Sequence, residues 1–144
     1  MQRIFFVCTG NTCRSPMAEA ILKSKKIDGL EVKSAGIYAA TGSEASAHAK
    51  QVLRSHHIEH NHSSTMLNIE SVQWADLILT MTGSHKNAIL QQYPDASGKV
   101  FTLKEFTGEG YDVDVVDPFG GNLAIYQETY QELEKLITKA IEKM

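Results

Sequence analysis

The sequence predicts an α/β fold, a single domain over residues 1–144 built on a four-stranded parallel sheet with helices on both faces. Two observations lead to this prediction. Four short apolar segments typical of strands alternate with segments whose apolar residues recur at helical spacing. The length of 144 residues, 42% of them hydrophobic and 22% charged, suits one packed domain and excludes a disordered or fibrous chain.

The first predicted unit is a strand followed by a helix. Residues 4–7 are a short apolar, β-rich run that leads into a turn, which is typical of a buried strand. Ser15 is a candidate N-cap and Pro16 suits the first helical position, so a helix is predicted from there to about Lys26. Ligands of such sheets bind beyond the carboxyl ends of the strands, which makes the turn after residue 7 a candidate site.

The middle of the chain repeats the alternation. Residues 30–34 predict a second, shorter strand, and a loop of small residues follows it. Residues 45–53 carry apolar side chains at helical spacing and predict an amphipathic helix. Residues 66–74 predict one or two further helical turns, and residues 77–81 predict a strong third strand.

The last third of the chain is predicted to contain two helices and the fourth strand. Ser84 is a candidate cap for a helix that carries the apolar residues 88–90. The fourth strand is predicted at residues 100–103. Residues 107–121 are rich in Gly and Asp and predict a long surface loop, a kind of segment that often carries function. Apolar residues spaced from 125 to 141 predict a C-terminal helix of about five turns.

Charge and hydropathy exclude several classes of function. Fourteen basic and seventeen acidic residues give a net charge of −3, so no general positive field is available for nucleic acid or anionic lipid. The longest apolar run, residues 4–8, is shorter than the roughly 20 residues of a membrane span, and the N-terminus lacks the apolar stretch of a signal peptide. A soluble, cytoplasmic protein that binds neither nucleic acid nor membranes is therefore predicted.

The segment from Cys8 to Ser15 predicts a phosphate-binding loop. A cysteine at a strand end is followed by five residues, an arginine and a Ser-Pro pair that opens a helix. A loop that closes onto a helix N-terminus turns backbone N–H groups inward, and together with the helix dipole they form a cradle for an anion. Gly10 is expected to adopt a backbone conformation closed to most residues. The loop residues expected to contact the substrate are Thr9, Gly10, Asn11, Thr12, Cys13 and Ser15.

Cys8 and Arg14 have the chemistry for attack on phosphorus. The cradle and the guanidinium favour the Cys8 thiolate, so a pKa below the usual value of about 8.5 is predicted. Arg14 offers a planar fork of donors to two phosphate oxygens and can follow the charge that develops during transfer. The Ser15 hydroxyl can donate to the sulfur and ease its departure. The alternative is a buried core thiol beside a surface arginine, and a nucleotide-hydrolysing Walker loop is not supported because its Gly-Lys-Ser/Thr is absent.

Taken together, these motifs resemble the low-molecular-weight protein tyrosine phosphatase family, which has Cys-x5-Arg-Ser near the N-terminus and Asp-Pro in a late loop. The similarity spans essentially the whole chain and includes residues 34–36 and 75–81. It implies a four-stranded parallel sheet, no metal and no cofactor. It also implies a hydrogen-bond network in which Asn11 and Ser34 hold the loop open.

The late loop supplies a candidate general acid. The leaving group expelled from phosphorus needs a proton, which must come from a carboxylic acid on another segment. Asp117, followed by Pro118, is that candidate, and its carboxylate can later accept a proton from the water that attacks phosphocysteine. Asp112 and Asp114 are interpreted as solvated loop carboxylates. The predicted catalytic residues are Cys8, Arg14 and Asp117.

Two positions bear on which phosphorylated side chain is the substrate. Tyrosine-directed members follow Asp-Pro with two aromatic residues, whereas this chain has Phe119 and then two glycines, which leaves one aromatic wall at the substrate site. Thr12 stands where those members carry a bulkier aliphatic residue, and its small hydroxyl could admit a guanidinium. Both departures resemble the protein arginine phosphatase branch. The prediction is a phosphatase that hydrolyses phosphoarginine on proteins through phosphocysteine, and the alternative is a protein tyrosine phosphatase acting on phosphotyrosine.

Two other functional classes have weaker support. Thiol-linked arsenate reduction shares this fold and first loop but needs cysteines downstream, and none follows Cys13. A non-catalytic phosphate-binding module would not require Cys8, Arg14 and Asp117 together.

Cys13 and the histidines have two interpretations each. Cys13 is either a small buried residue or a partner that traps oxidised Cys8 as a disulfide, which would make the site redox-sensitive. His56 and His60 could form a ligand pair on one helix face, but the stretch has no cysteine and follows a helix end, so no metal is predicted. His62 is instead expected to brace a turn near the loop.

Overall fold

Four parallel strands form one sheet in the order β2-β1-β3-β4 in the computed structural model, which describes residues 2–108 and 114–144. The strands are β1 (Gln2–Cys8), β2 (Leu30–Gly36), β3 (Leu77–Thr80) and β4 (Val100–Thr102). The helices are α1 (Arg14–Ser24), α2 (Ala47–Ser55), α3 (Ile69–Trp74), α4 (Gly83–Gln92), α5 (Leu103–Thr107) and α6 (Leu123–Lys143), with a 3-10 turn at Pro94–Ala96. The predicted fold class is confirmed.

The central strand β1 separates two layers of core side chains. Ile4 and Phe6 pack into a cluster that includes buried residues of α1, α2 and α6. Phe5 and Val7 point to the other face and pack with buried residues of α3 and α4. Both faces of the sheet are therefore covered by helices, and β1 is apolar throughout because both of its faces are buried.

The carboxyl end of β1 lies at a switch point of the topology. The chain passes from β1 to β2 on one side and then returns to β3 on the other side of β1. In open α/β sheets the crevice at such a point is where ligands bind. The loop that follows Cys8 is located there.

Two helices begin at residues other than those predicted. Helix α1 starts at Arg14, and Ser15 is a helical residue whose hydroxyl contacts Cys8 instead of capping backbone N–H groups. Helix α4 is capped by Thr82, whose side chain accepts from the N–H of His85, so Ser84 is not the cap. Thr82 and Ser84 are two residues apart, which makes the capping residue of α4 ambiguous in sequence, whereas α1 begins after Cys13 without a side-chain cap.

The fourth strand is one residue shorter than predicted, and a helix follows it directly. Thr102 forms a capping box with Glu105, and Leu103 is the first residue of α5. The predicted loop over 107–121 therefore begins after a helix that the pattern did not indicate. Residues 109–113, which include the predicted solvated carboxylate Asp112, lie outside the described residues.

Helix α6 is the longest helix in the described part of the chain, and it is amphipathic. Its inward face buries Leu133, Leu136 and Ile137 in the core cluster that also contains residues of α1 and α2. None of the helices that the structure describes has the combination of length and apolar character needed to cross a bilayer.

Candidate active site

The loop between β1 and α1 has its left-handed residue at Asn11. The φ of Asn11 is 56°, and Asn11 is fully buried. Gly10 does not have a positive φ, so the prediction that Gly10 supplies this conformation was wrong. Asparagine tolerates the left-handed region better than most residues, which makes Asn11 suitable for the turn.

Gly36 at the end of β2 packs against the loop between β1 and α1, a contact that the sequence pattern did not predict. A Cβ added there would lie 2.5 Å from the Thr9 carbonyl oxygen and 2.8 Å from the Asn11 backbone nitrogen. Such distances are too short for any side chain, so only glycine lets β2 approach the loop this closely. The pairing of Cys8 with Gly36 in the sheet register brings the two segments together.

The Cys8 sulfur accepts hydrogen bonds within the loop. Its Sγ lies 2.8 Å from the Ser15 hydroxyl oxygen, and the Asn11 backbone N–H donates to it at 3.3 Å. The Asn11 side-chain amide donates to the same Ser15 oxygen at 2.8 Å. Because that oxygen already accepts from Asn11, the Ser15 hydroxyl proton can be directed at the sulfur.

Burial raises the pKa of the Cys8 thiol. The hydrogen bonds from Ser15, the charge of Arg14 and the N–H of Asn11 lower it but do not overcome burial. The prediction of a lowered pKa was therefore wrong for this loop. The sequence shows the positive surroundings of the sulfur, whereas the loss of water around a residue that is only 2% exposed follows from the folded structure.

Asn11 connects the loop to three other segments. Its side-chain amide also donates to the Ser34 hydroxyl at 3.0 Å, and its side-chain carbonyl accepts from the Thr65 N–H at 2.9 Å. Its backbone carbonyl oxygen lies 2.6 Å from Nε2 of His62. The structure thus brings Asn11 and Ser34 into contact, and His62, which was predicted to brace a turn near the loop, contacts the loop itself.

A buried carboxylate lies behind this network. The Ser34 hydroxyl donates to Glu19 Oε1 at 2.5 Å, and Lys23 donates to Oε2 at 2.7 Å. Burial raises the pKa of Glu19, but the neighbouring His60, Lys23 and Ser34 together lower it to about 2, so Glu19 is ionised at neutral pH. Glu19 was not predicted, although its place four residues after Ser15 puts both on one face of α1.

Arg14 contacts the late loop that was predicted to contain the acid. It donates from Nη1 to the Val115 carbonyl oxygen at 3.0 Å, and Nη2 lies 3.5 Å from Asp117 Oδ2. The buried Val115 is held in turn by its N–H, which donates to the Met81 carbonyl oxygen at 2.7 Å. The other carboxylate oxygen of Asp117 accepts from the Phe119 N–H at 3.0 Å. The half-exposed Asp117 therefore lies beside the guanidinium at the mouth of the loop.

His85 is a further site residue that the sequence pattern did not predict. Its Nε2 lies 2.8 Å from the Thr9 hydroxyl, which also accepts from Arg14 Nη2 at 3.4 Å. Burial, together with the charge of Arg14, lowers the pKa of His85 to about 4, so the ring is neutral at pH 7. His85 belongs to the first turn of the helix after β3, and this position at the strand carboxyl ends was the available signal.

The two cysteines are free thiols with different surroundings. The Cys13 sulfur lies 3.3 Å from the Tyr126 hydroxyl and 3.8 Å from the Ser46 hydroxyl, so it faces α2 and α6. The Cys8 sulfur faces Ser15. The disulfide between them stays one of the two interpretations of Cys13, and the other, a small buried residue, agrees with its burial.

Thr12 and Phe119, the two residues predicted to bear on the choice of substrate, are here called the rim of the loop, and they are exposed to solvent to different degrees. Thr12 is half-buried, and its carbonyl oxygen accepts from the Ser46 N–H at 2.8 Å. Phe119 is 79% exposed at the end of the late loop. Gly120, which takes the place of the second aromatic residue, has a φ of 79°, a conformation that other residues rarely adopt.

The hypothetical ligand pair of His56 and His60 does not form on a helix. Helix α2 ends at Ser55, so both histidines lie beyond it. The His56 ring stacks on Tyr130 with centroids 4.0 Å apart and contacts Gln127. His60 lies near Glu19 instead.

Comparisons with known proteins agree with this geometry. Residues 3–144 match the model of the family described as low molecular weight phosphotyrosine protein phosphatase. A protein-arginine-phosphatase from Geobacillus stearothermophilus is 53% identical over 99% of this chain and 95% of its own length. The solved structure of the YwlE arginine phosphatase from the same organism superposes with a TM-score of 0.96, at 52% identity over 99% of this chain and 92% of that one.

A second solved structure bears on the chemistry. It is a YwlE arginine phosphatase in which the active-site cysteine is replaced by a serine that is phosphorylated. It matches with a TM-score of 0.94, at 46% identity over 99% of this chain and 95% of that one. In that protein, the side chain at the nucleophile position therefore carries the phosphoryl group.

Proposed function

The chain belongs to the low molecular weight phosphotyrosine protein phosphatase family, and from this premise we propose that it hydrolyses phosphoarginine on proteins through a phosphocysteine intermediate. Members of the family are phosphoprotein phosphatases, so the substrates of this enzyme are phosphorylated proteins. The observation that carries the proposal is the convergence of the Cys8 sulfur, the Ser15 hydroxyl, the Arg14 guanidinium and the Asp117 carboxylate on one anion-binding loop. The phosphorylated nucleophile position of the related arginine phosphatase supports the covalent route.

The first step transfers the phosphoryl group to sulfur. Burial raises the pKa of Cys8, so the thiol must first lose its proton to water, and the Ser15 hydroxyl, the Asn11 N–H and the Arg14 charge stabilise the thiolate that results. The thiolate attacks phosphorus, so an S–P bond forms while the P–N bond to the arginine side chain breaks. Asp117 gives its proton to the departing guanidine nitrogen. Arg14, whose Nη2 lies 3.5 Å from the Asp117 carboxylate, neutralises charge on the phosphoryl oxygens and keeps the acid at the mouth of the loop.

The second step releases inorganic phosphate. A water molecule attacks phosphorus, its proton passes to the Asp117 carboxylate, and the S–P bond breaks. The sulfur leaves as a thiolate, which the Ser15 hydroxyl stabilises by donating a hydrogen bond. The cycle then restores the thiolate and the protonated acid.

The preference for phosphoarginine rests on the rim of the loop. A guanidinium is polar and needs acceptors, which the Asp117 carboxylate and the Thr12 hydroxyl can supply. The positive φ of Gly120 disfavours an aromatic residue there, so a phenyl ring could stack on Phe119 alone. An open, polar rim therefore suits phosphoarginine better than phosphotyrosine.

Phosphotyrosine is the second candidate substrate because Phe119 presents an exposed aromatic ring beside Asp117. Hydrolysis of phosphoarginine and phosphotyrosine peptides of the same sequence distinguishes the two. We expect the wild-type enzyme to prefer phosphoarginine and Thr12→Ile to shift the preference toward phosphotyrosine. Thr12→Val is the matched control, since it removes the hydroxyl without the bulk of isoleucine and tests polarity apart from size. Equal or tyrosine-favoured turnover by the wild type would reject the arginine assignment.

A cytoplasmic location and the absence of nucleic-acid or membrane binding belong to the same proposal. The support for them is the net charge of −3 and the lack of a long apolar segment.

A further inference from the structure

Three potential metal ligands converge behind the phosphate loop. One ligand atom from each of Glu19, His60 and His62 lies within 4.8 Å of the other two. Oε1 of Glu19 is 3.8 Å from Nε2 of His60 and 3.8 Å from Nδ1 of His62. The side chains are buried, with 10%, 8% and 4% of their surfaces exposed for Glu19, His60 and His62 respectively. None of the three takes part in the proposed hydrolysis.

The Nε2 atom of His60 has no hydrogen-bond partner among the described residues, although it is buried. Glu19 Oε1 lies 3.8 Å from it, which is close enough for His60 to affect the carboxylate electrostatically but too long for a hydrogen bond. Buried polar atoms are almost always paired, because an unpaired one loses its contacts with water without replacement. This nitrogen is therefore directed at the cluster and available to bind an ion there.

The hydrogen bond of His62 to the loop fixes which of its nitrogens is free. Its Nε2 lies 2.6 Å from the Asn11 carbonyl oxygen, and a carbonyl only accepts, so Nε2 carries the proton. In the neutral ring, Nδ1 then presents a lone pair toward the Glu19 carboxylate. The lone pair and the negative carboxylate repel each other, and a cation between the two atoms would be attracted to both. Histidines that bind metals are commonly oriented in this way, with the other nitrogen donating to a carbonyl.

The Glu19 carboxylate is oriented by neighbours that leave room for an ion. Lys23 pairs with Oε2, and the Ser34 hydroxyl donates to Oε1, which keeps a second lone pair. These contacts fix the carboxylate in the way that hydrogen bonds fix metal-binding carboxylates in other proteins.

We propose that Glu19, His60 and His62 bind a divalent first-row transition-metal ion, for which Zn²⁺ is the representative. Two imidazoles and a carboxylate suit zinc, whereas magnesium and calcium prefer oxygen ligands alone. Ligand atoms about 2.1 Å from a zinc ion are about 3.4 Å apart at tetrahedral angles, so each Glu19–histidine distance of 3.8 Å needs to shorten by about 0.4 Å and the distance between the two histidine nitrogens by at most about 1.4 Å. Water completes the coordination.

The site has a path from solvent and a connection to the loop. His60 and His62 line a surface cavity of about 290 Å³ that is open to solvent. An ion bound to His62 would fix its ring, and through the Nε2–H bond it would fix the Asn11 carbonyl of the phosphate loop. The ion is thus a support for the loop and has no part in the proposed transfer of the phosphoryl group.

The test measures metal binding in a protein that lacks the nucleophile. Cys8→Ser removes the thiol that would otherwise compete for zinc, and the readout does not depend on activity or on the substrate assignment. Zn²⁺ is titrated by calorimetry, Co²⁺ binding is followed by its visible absorption, and thermal unfolding is compared with and without Zn²⁺. The variants are Cys8→Ser alone, Cys8→Ser with His60→Ala, and Cys8→Ser with His57→Ala as the control, because His57 is an exposed histidine of the same segment.

We expect one equivalent of metal to bind Cys8→Ser and to raise its unfolding temperature. His60→Ala should weaken binding at least tenfold and abolish the shift in unfolding temperature, and His57→Ala should change neither. Imidazole nitrogen chemical shifts of His60 and His62 on addition of Zn²⁺ to Cys8→Ser give the same answer without a ligand variant, should His60→Ala not fold. Absence of stoichiometric binding, equal effects of the two histidine variants, or unperturbed His60 and His62 nitrogens would overturn the proposal and leave the cluster as a hydrogen-bonded and ionic support.

Discussion

The hydroxyl oxygen of Ser15 lies 2.8 Å from the sulfur of Cys8 while it accepts a hydrogen bond from the Asn11 side chain. Among the contacts that lower the pKa of the buried thiol, this hydroxyl has the largest effect. The same hydroxyl is placed to stabilise the thiolate when phosphocysteine is hydrolysed. One side chain therefore affects both proposed steps.

Replacing Ser15 with alanine should impair both ionisation and turnover. The pKa of Cys8 should rise further because its main hydrogen-bond donor is lost, and a hydrogen bond to a charged group is worth about 1.5–3 kcal/mol. We expect kcat to fall roughly ten- to hundredfold, and the pH midpoint of Cys8 alkylation by iodoacetamide to move upward. Ser24→Ala, at the other end of α1, is the control. An unchanged midpoint in Ser15→Ala would contradict this role.

Asp117→Asn tests the general acid. The amide keeps the shape of the carboxyl and the contact with the Phe119 N–H, but it has no acidic proton to give to the leaving nitrogen. General acid catalysis contributes about 10²–10⁴-fold, and we expect kcat for phosphoarginine peptides to fall by that order. Phosphate release under saturating substrate is the measurement.

The matched control for this variant is Asp114→Asn. Asp114 is an exposed carboxylate of the same loop, and it accepts from the Gly83 N–H at 2.8 Å, a bond that the amide oxygen of asparagine can also accept. We expect its activity to stay close to that of the wild type. If Asp117→Asn and Asp114→Asn had the same kcat for phosphoarginine peptides, Asp117 would not be the general acid.

The parts of the site that the sequence predicted share a local origin. A strand, a turn and a helix start follow each other between residues 4 and 16, so Cys8 and Arg14 could be placed on one loop from their order alone. Asp117 was found because a proposed reaction needs an acid and the late loop offers Asp-Pro. The sheet of four parallel strands followed from the alternation of elements, whereas several boundaries differed, as at α4, which Thr82 caps, and at β4, which ends where α5 begins.

The parts that were not predicted depend on contacts between distant segments. Gly36 and His85 reach the loop through the register of β2 and the position of α4, which sequence periodicity does not define. Glu19 gains its partners from the segment that contains His60 and His62. The sign of the Cys8 pKa shift was wrong for the same reason, since desolvation depends on how completely the chain encloses the sulfur.

Gly36→Ala should disrupt the loop through its backbone. The new Cβ would meet the Thr9 carbonyl oxygen at 2.5 Å and backbone atoms of Gly10 and Asn11 below 3.0 Å, and backbone atoms cannot move aside without deforming the loop. Overpacking of this kind costs about 1–3 kcal/mol, so we expect lower stability to urea and a large loss of activity.

The comparison for this prediction is Gly98→Ala. A Cβ at Gly98 would have no heavy atom within 4 Å, and its φ is not in the left-handed region. This variant should unfold at the same urea concentration as the wild type or slightly higher, because alanine restricts the unfolded chain. Wild-type activity in Gly36→Ala would show that the loop does not need the close approach of β2.

His85 predicts how stability responds to acid. Burial, together with the Arg14 charge, lowers its pKa from 6.5 to about 4 in the folded protein, so between these values the unfolded chain binds more protons than the folded one. The free energy of unfolding should therefore fall as the pH decreases from about 6.5 to about 4, and this contribution should level off below the folded pKa. The pKa of Glu19 is lowered from 4.5 to about 2 in the folded protein, so its contribution to the free energy of unfolding is lost at lower pH, between about 4.5 and about 2.

The variant His85→Gln distinguishes the pH range assigned to His85 from the lower pH range assigned to Glu19. Glutamine can keep the hydrogen bond to the Thr9 hydroxyl but does not titrate, so urea unfolding at pH about 7 and about 4.5 should show a smaller loss of stability than in the wild type. A residual slope is expected from His62, whose pKa is also lowered by burial and which the variant retains. His57→Gln, at an exposed histidine, should leave the wild-type slope intact. Parallel pH profiles for His85→Gln and the wild type would show that His85 is not held neutral in the folded protein.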